Sequence, residues 1–114
     1  MSDCLFCKIA AGQIPSKPVH SDDTYYAFED IHPQAPTHVL VVPRKHIATL
    51  NDLQESDGAL VGGLVMLAAK IAKERGLGTK GYRLNVNCQE SAGQTVFHLH
   101  VHLLGGRRFT WPPG

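Results

Sequence analysis

The sequence has no excess of charge of either sign. Its 114 residues include 11 lysines and arginines against 10 aspartates and glutamates, a formal net charge of +1. No basic stripe or acidic tail is present, so the sequence favours neither long nucleic acids nor anionic membranes as partners. A small anionic substrate is compatible with this balance, because a few local hydrogen-bond donors suffice to hold it.

Long apolar runs, a secretion signal and an even set of cysteines are also missing. A central stretch without charged residues, Gly58 to Ala69, contains Gly62 and Gly63 and is too short to span a bilayer. The N-terminal residues lack the basic segment and following apolar segment of a secretory signal. Three cysteines fit a reducing compartment better than a disulfide framework. We therefore expect a cytoplasmic protein without a transmembrane helix.

The composition is that of a folded domain. Hydrophobic residues make up 43% of the chain and charged residues 18%, which argues against intrinsic disorder. Two independent cores would each be too small to be stable, so we expect a single domain over residues 1–114. Because a domain of this size buries only about two-thirds of its unfolded surface, dimerisation would add stability.

Turn and strand patterns occupy the first third of the chain. A short helical turn is predicted over Cys4 to Gly12, because glycine readily adopts the left-handed conformation that ends a helix. Beyond it, Val19–Ser21 and Tyr25–Glu29 form a predicted hairpin. A loop with two prolines then leads to Val39–Val42, a run typical of a buried strand.

A long helix is predicted in the middle of the chain. Apolar residues at helical spacing follow Ser56, the predicted N-cap, and Gly76 is expected to end the helix. Gly62 and Gly63 oppose helix formation by about 1 kcal/mol each relative to alanine. We therefore expect a close backbone approach there, for which a partner helix across a two-fold axis is a candidate. The apolar stripe comprises Leu60, Leu64, Leu67 and Ile71.

Two alternating segments follow the helix. Leu84–Cys88 and Phe97–Leu103 each alternate apolar with polar residues, the pattern of strands with one covered face. The connection between them, Gln89–Val96, is short enough for a hairpin. The order hairpin, strand, helix, two strands favours an α+β fold with an antiparallel sheet.

Histidine is concentrated in the last of these segments. Seven histidines are present, and His98, His100 and His102 lie within five positions. On a strand their imidazoles would share one face at intervals of about 6.6–6.8 Å. Three interpretations are open: incidental histidines on a solvated face, an adjacent pair that binds one metal ion, or nucleophilic catalysis by the central imidazole. The outer pair is too far apart to share one zinc ion, so nucleophilic catalysis accounts best for the whole row.

The row resembles a known motif. His98 to Leu104, with histidines alternating with apolar residues, is similar to the motif of the histidine triad (HIT) family. The preceding Gly93 to Phe97, the segment Asp30 to His38 and the ending Gly105 to Gly114 are similar to the Hint branch, the histidine triad nucleotide-binding proteins. This resemblance implies a five-stranded antiparallel sheet with one long helix and a short N-terminal helix, and a sheet that extends across a homodimer.

The resemblance also implies an activity, the hydrolysis of the P–N bond of purine nucleoside phosphoramidates without an organic cofactor. His100 would be the nucleophile that forms a nucleotidyl-histidine. His102 would position the phosphate, His38 would support the triad from the adjacent strand, and Thr95 would offer a hydroxyl to the leaving group. Asp30 would grip the ribose hydroxyls. The other implied nucleotide-binding residues are Phe6, Phe28, Ile31, Asn87, Gly93, Gln94, Val96 and the partner's Trp111, with Ile9 and Ile14 also lining the base pocket.

Two cysteines raise the question of a metal. Cys4 and Cys7 form a Cys-x-x-Cys pair, which by itself is also compatible with redox chemistry or simple burial. In many bacterial HIT proteins such a pair accompanies two histidines, which correspond here to His46 and His98, and this resemblance implies a structural zinc site. Two other functions are open: a regulatory nucleotide-binding module with incidental slow hydrolysis, and a zinc-dependent hydrolase with His98 and His100 as ligands.

Overall fold

The computed structural model describes residues 3–114, which contain two α-helices and five β-strands. None of these helices combines the length and apolarity needed to cross a membrane. The elements are α1 (Leu5–Ala10), β1 (Pro18–Ser21), β2 (Tyr25–Glu29), β3 (Thr37–Pro43), α2 (Gly58–Glu74), β4 (Tyr82–Asn85) and β5 (Val101–Gly105), with 3₁₀ turns at Leu50–Asp52, Glu55–Asp57 and Glu90–Ala92.

The strands form one sheet with β3 at its centre. Neighbours in the order β1-β2-β3-β5-β4 all pair antiparallel, and β3 is buried along its whole length. Val39 and Val41 pack with α2, whereas Leu40 and Val42 pack on the opposite face, because successive side chains of a strand alternate. The predicted α+β fold is confirmed, with a five-stranded antiparallel sheet, one long helix and a short N-terminal helix.

The two faces of the sheet are covered unequally. The long helix α2 covers one face, where its buried residues Leu64 and Ile71 belong to the larger apolar core. On the other face α1 contributes Phe6 and Ile9. His102 is directly opposite Leu40 in the β3–β5 ladder and therefore lies on this second face. Because α1 is short, the imidazole ring of His102 fits beside it on this face of the sheet.

Helix α2 begins two residues later than the predicted cap. Ser56 lies within the preceding 3₁₀ turn, and Asp57 occupies the N-cap position. The buried Asp57 carboxylate instead accepts hydrogen bonds from the Gln54 backbone N–H at 2.8 Å and from Lys45 Nζ at 2.7 Å. Because this 3₁₀ turn includes Ser56, the α-helix starts only after it, at Gly58. The predicted end is confirmed, since Gly76 follows the helix with a φ of +74°.

The C-terminal strands are shorter than predicted. Strand β4 ends at Asn85, before Val86 and Cys88, and β5 begins only at Val101. The ladder cannot continue along β3, because Pro43 at its end has no N–H to donate. Leu99 N instead donates to Ile47 O at 2.6 Å. Phe97, expected on the covered face, is 45% exposed.

The close backbone approach on α2 occurs at Gly63 and involves Tyr25 of the same chain. A Cβ atom at Gly63 would lie 1.8 Å from Tyr25 Oη, and that hydroxyl donates to Leu60 O at 2.8 Å. At Gly62 a Cβ atom would meet nothing within 4 Å. The close contact at Gly63 is therefore made by β2 of the same chain.

Replacing Gly63 by alanine should destabilise the fold. We expect Gly63→Ala to lower the free energy of unfolding by about 1–3 kcal/mol, because the methyl group displaces Tyr25 from Leu60. Gly58→Ala is the matched control in the same helix, since its Cβ atom would meet nothing within 4 Å, and it should leave the stability unchanged or raise it. Urea denaturation of both variants measures this, and equal free energies of unfolding would refute it.

Candidate functional site

Four histidine rings and a phenylalanine ring lie together beside α1. The rings of His100 and His102 have centroids 4.9 Å apart, and the His102 ring is 5.2 Å from that of His38 on β3. The Phe6 ring stands edge-on to His100 at 5.0 Å and to His98 at 6.2 Å. Because His38, His98 and His100 are buried, the interpretation of incidental histidines on a solvated face is wrong.

Backbone carbonyl groups fix the tautomers of two of these rings. His100 Nδ1 lies 2.7 Å from the carbonyl oxygen of His98, and His98 Nε2 lies 2.7 Å from that of Pro43. A carbonyl oxygen only accepts hydrogen bonds, so each of these nitrogens carries the proton of a neutral ring. The lone pair is therefore on Nε2 in His100 and on Nδ1 in His98.

A second chain of hydrogen bonds fixes the other two rings. The backbone N–H of Gln34 donates to His38 Nδ1 at 3.0 Å, so the proton of neutral His38 is on Nε2. His38 Nε2 lies 2.9 Å from His102 Nδ1 and 3.4 Å from Asp30 Oδ2. It donates to His102, whose own proton is then on Nε2. The site thus holds one imidazole with a bare Nε2, His100, beside one with an Nε2–H, His102.

Burial keeps these imidazoles uncharged near neutral pH. Burial is the main cause that lowers the pKa of His102 from 6.5 to about 4, and the neighbouring His100 and His38 add to this effect. Burial also lowers the pKa of His38 and of His100. The Asp30 carboxylate opposes the shift at all three rings. A neutral imidazole retains the lone pair that a nucleophile requires.

A cavity of about 240 Å³ opens onto the rings of His100 and His102. Its wall combines apolar side chains with the Asp30 carboxylate and Thr95. Of the predicted residues, Phe6, Ile9, Phe28, Ile31 and Val96 lie in this wall, and Ile31 is 85% exposed. Ile14 packs in the core beneath instead. Residues of the wall that the sequence patterns missed are Leu5, Pro15, Ser16, Glu29 and Leu40.

Alternation along β3 could have identified one missed residue, because Leu40 must face away from the helix-covered Val39 and Val41. No sequence signal marks Pro15 and Ser16, which the chain brings in from the loop after α1.

Hydrogen bonds of the Gln94 side chain stabilise the loop before the histidines. Buried Gln94 accepts the Gln89 N–H at its Oε1 at 2.8 Å, and its Nε2 donates to Ala48 O at 2.9 Å and Val96 O at 3.2 Å. The backbone N–H groups of Gly93 and Gln94 also donate inside the loop. The backbone N–H groups of Gly93 and Gln94, both expected to bind the nucleotide, are thus paired within the loop.

Two backbone donors of this loop remain available. In the described part of the chain, the N–H groups of Thr95 and Val96 donate to no backbone acceptor and no side chain, and both residues line the cavity. In this loop, Thr95 and Val96 therefore combine an unpaired backbone N–H group with a place in the cavity wall. Asn87 and Trp111 lie outside the cavity wall: the Asn87 side chain bonds to Asn85 at 2.8 Å, and Trp111 is 82% exposed.

Two cysteines and two histidines converge on the far side of His98. The ligand atoms of Cys4, Cys7, His46 and His98 all lie within 4.8 Å of one another. Both sulfur atoms lie 3.4 Å from His98 Nδ1, which is 3.2 Å from His46 Nδ1. A tetrahedral zinc ion places such atoms about 3.3–3.8 Å apart. The bond from His98 Nε2 to Pro43 O also leaves Nδ1 as the metal-facing nitrogen. Donor set and geometry both fit zinc.

A catalytic zinc shared by His98 and His100 is not supported. Within residues 3–114, the groups of three or more metal-binding side chains are the cysteine-histidine cluster and Asp30, His38 and His102. Neither group contains both His98 and His100. The Nδ1 atom of His98 faces the two sulfur atoms of the cluster, whereas the Nδ1 atom of His100 donates to the His98 carbonyl oxygen.

Comparison with known proteins agrees with this site. The HIT domain family matches residues 11–109. The purine nucleoside phosphoramidase of Escherichia coli K12 is 46% identical over 105 residues, 92% of this chain and 88% of that protein. A HIT family hydrolase from Legionella pneumophila Philadelphia 1 has a TM-score of 0.97 and 53% identity, covering 98% of this chain and all of that one. A zinc-bound histidine triad family protein from Mycobacterium smegmatis has a TM-score of 0.81 and 30% identity, covering 98% of this chain and 80% of that one. This chain belongs to the HIT domain family.

Proposed function

We propose that this protein hydrolyses purine nucleoside 5'-phosphoramidates through a nucleotidyl-histidine on His100. The observation that carries the proposal is the 2.7 Å hydrogen bond from His100 Nδ1 to the His98 carbonyl oxygen, which leaves the Nε2 lone pair available beside the cavity. The 46% identity to the phosphoramidase of Escherichia coli supports the substrate class.

The cavity suits a nucleoside monophosphate group. The apolar residues Phe6, Phe28 and Ile31 would hold the base, and the Asp30 carboxylate would accept hydrogen bonds from the ribose hydroxyls. The available N–H groups of Thr95 and Val96 would hold phosphate oxygens. Donors fixed in place before the substrate arrives stabilise the charge that develops on those oxygens during transfer.

The reaction would proceed in two displacements. His100 Nε2 attacks phosphorus, the P–N bond breaks, and the amine leaves with a proton supplied within the site, where the Thr95 hydroxyl and the His102 Nε2–H lie. Water then attacks the nucleotidyl-histidine and its proton returns to the group that protonated the amine. The bond from phosphorus to Nε2 breaks, and the nucleoside monophosphate is released. His38 is a positioning residue, because it acts through His102 by fixing its tautomer.

We further propose that Cys4, Cys7, His46 and His98 hold a structural zinc ion. Their geometry fits tetrahedral coordination, and a zinc-bound relative from Mycobacterium smegmatis shares the fold. Two thiolates and two imidazoles fill the four positions of the ion, so the site would stabilise the fold and leave no open position for substrate. Thiolate ligands also accord with a reducing cytoplasm.

A homodimer is the third part of the proposal. The outward face of α2 presents Val65 and Met66, and Met66 is 75% exposed. Strand β4 lies at an edge of the sheet and can pair with the same strand of a second copy. Such a dimer would cover the apolar face and extend the sheet. It would also allow the partner's Trp111 to approach the nucleotide cavity.

Removing the nucleophile should separate catalysis from binding. We expect His100→Ala to lower adenosine phosphoramidate hydrolysis by more than about a thousandfold, because no other group supplies the attacking atom. Its affinity for AMP, measured by calorimetry, should change little. His20→Ala, on the edge strand β1 and outside the cavity wall, is the control and should keep full activity. Substantial hydrolysis by His100→Ala would exclude the nucleophile assignment and favour a binding module with incidental turnover.

Acid should destabilise the folded protein through the buried imidazoles. Because burial lowers the pKa of His102 from 6.5 to about 4 and lowers that of His38, the unfolded chain binds more protons between these values. The free energy of unfolding should therefore fall as the pH decreases from about 6.5 to about 4. His102→Asn should flatten this dependence, whereas His32→Asn, at an exposed position, should not. Identical pH profiles for wild type and His102→Asn would contradict the assignment.

Zinc content and stability should change together. Protein prepared without chelators should contain one zinc ion per chain, and Cys4→Ser or Cys7→Ser should lower both the zinc content and the Tm. Cys88→Ser, at a cysteine outside the cluster, is the control and should retain both. Finding no zinc in the wild-type protein by atomic emission would refute the site and favour simple burial of the two cysteines.

A charge on the outward face of α2 should break the dimer. We expect the wild-type protein to sediment as a dimer at micromolar concentration and Met66→Asp to sediment as a monomer, because burial of an unpaired carboxylate is costly. Gln13→Asp introduces the same charge on an exposed loop and should remain dimeric. A monomeric wild type would overturn the dimer proposal.

A further inference from the structure

The metal-ligand cluster and the nucleotide cavity share a side chain, Phe6. It lies between Cys4 and Cys7 in the sequence, so two of the four ligands flank it at the start of α1. Its buried ring stands edge-on to the His100 ring, with centroids 5.0 Å apart and planes at 84°. The same ring lies 5.4 Å from Phe28 and lines the cavity. A shift of Phe6 would therefore alter both the base pocket and the surroundings of His100.

A second connection runs through His98. Its ring contributes Nδ1 to the cluster, whereas its backbone carbonyl oxygen accepts the hydrogen bond from His100 Nδ1 at 2.7 Å. The ring and the carbonyl group belong to one residue outside the regular ladder of β5. A change in the position of the His98 ring is thus transmitted over two residues to His100.

The short helix makes these connections sensitive to a bound ion. Helix α1 has six residues, a length at which a helix is not stable in water by itself. Its position therefore depends on the packing of Phe6 and Ile9 and on the cluster around Cys4 and Cys7. Metal–ligand bonds would hold the start of α1 far more firmly than hydrogen bonds to sulfur do.

We propose that the metal centre and the nucleotide cavity are thermodynamically coupled, so that a zinc ion and a nucleoside monophosphate each strengthen the binding of the other. Metal binding fixes Phe6 and the His98 carbonyl group, and the nucleotide then binds to a cavity that is already ordered. Coupling of this kind typically changes affinity by about 5- to 150-fold, and thermodynamics requires the same factor in both directions. The identity of the nucleotide rests on the proposed function, but the coupling does not depend on hydrolysis.

The test measures binding without turnover. Zinc affinity is determined by competition with a chromogenic chelator, with and without saturating AMP. AMP affinity is determined by calorimetry on zinc-loaded and zinc-free protein. We expect AMP to tighten zinc binding by at least about fivefold, and zinc to tighten AMP binding by the same factor. Equal zinc affinities with and without AMP would overturn the coupling. Absence of AMP binding would overturn both the coupling and the proposed nucleotide site, whereas coupling without hydrolysis would overturn only the proposed function.

A variant at Phe6 tests whether the coupling between the metal centre and the cavity depends on the Phe6 ring. Phe6→Leu keeps an apolar side chain but removes the ring that contacts His100, so it should still bind one zinc ion while the coupling factor falls towards one. Phe109→Leu, at a ring outside both the cavity wall and the ligand cluster, is the control and should keep the wild-type factor. Equal coupling factors in Phe6→Leu and wild type would exclude this route.

Cobalt substitution gives a measurement that needs no metal-free protein. If the zinc-free chain unfolds, AMP is titrated into the cobalt-loaded protein and the d–d absorption bands are recorded. We expect AMP to shift the bands, with the midpoint of the titration at the AMP concentration that half-saturates the cavity. Bands that do not change on AMP binding would contradict the proposal.

Discussion

The hydrogen bond from His100 Nδ1 to the His98 carbonyl oxygen determines what the site can do. An imidazole has two nitrogens, and at neutral pH only one keeps a lone pair. Because the carbonyl oxygen, 2.7 Å away, can only accept, the proton is fixed on Nδ1 and the lone pair on Nε2. Had the tautomer been reversed, His100 would present a donor to the cavity and could not attack phosphorus without first losing a proton.

The rest of the structure keeps that arrangement in place. Within the described residues, every buried side-chain nitrogen or oxygen has a hydrogen-bond partner, which matters because an unpaired buried polar group is costly. The Gln34 N–H fixes His38, His38 fixes His102, and the Pro43 carbonyl oxygen fixes His98. Each ring is uncharged and oriented by a backbone group or by another ring. The β3–β5 pairing places only His38 and His102 side by side, whereas His98 and His100 precede the ladder and are oriented by backbone carbonyl oxygens.

Sequence patterns predicted the elements whose periodicity is uninterrupted. Tyr25–Glu29 is a strand with the predicted bounds, and Gly76 ends the long helix as expected. Alternation failed over residues 97–100, because it describes which way side chains point but not whether a partner strand is present. The partner strand ends at Pro43, and this loss of pairing becomes visible only when the two segments are placed side by side.

The site was predictable in its chemistry but not in its detailed contacts. The histidine row and the Cys-x-x-Cys pair indicated the residue types, and the structure brings both groups together around His98. The use of Gln94 as an internal brace was not predictable, because its partners Gln89, Ala48 and Val96 are set by the fold of the loop. The same holds for Gly63, whose close neighbour Tyr25 is 38 residues away along the chain, a contact that helical spacing alone does not reveal.

Trapping the covalent intermediate shows directly whether His100 attacks phosphorus. The enzyme is mixed with adenosine phosphoramidate, quenched within the first turnover and digested, and the peptides are fragmented in a mass spectrometer. We expect an AMP adduct on His100 that forms as the amine is released and decays as AMP appears. An adduct on His98 or His102, or release of amine with no adduct on the protein, would contradict it.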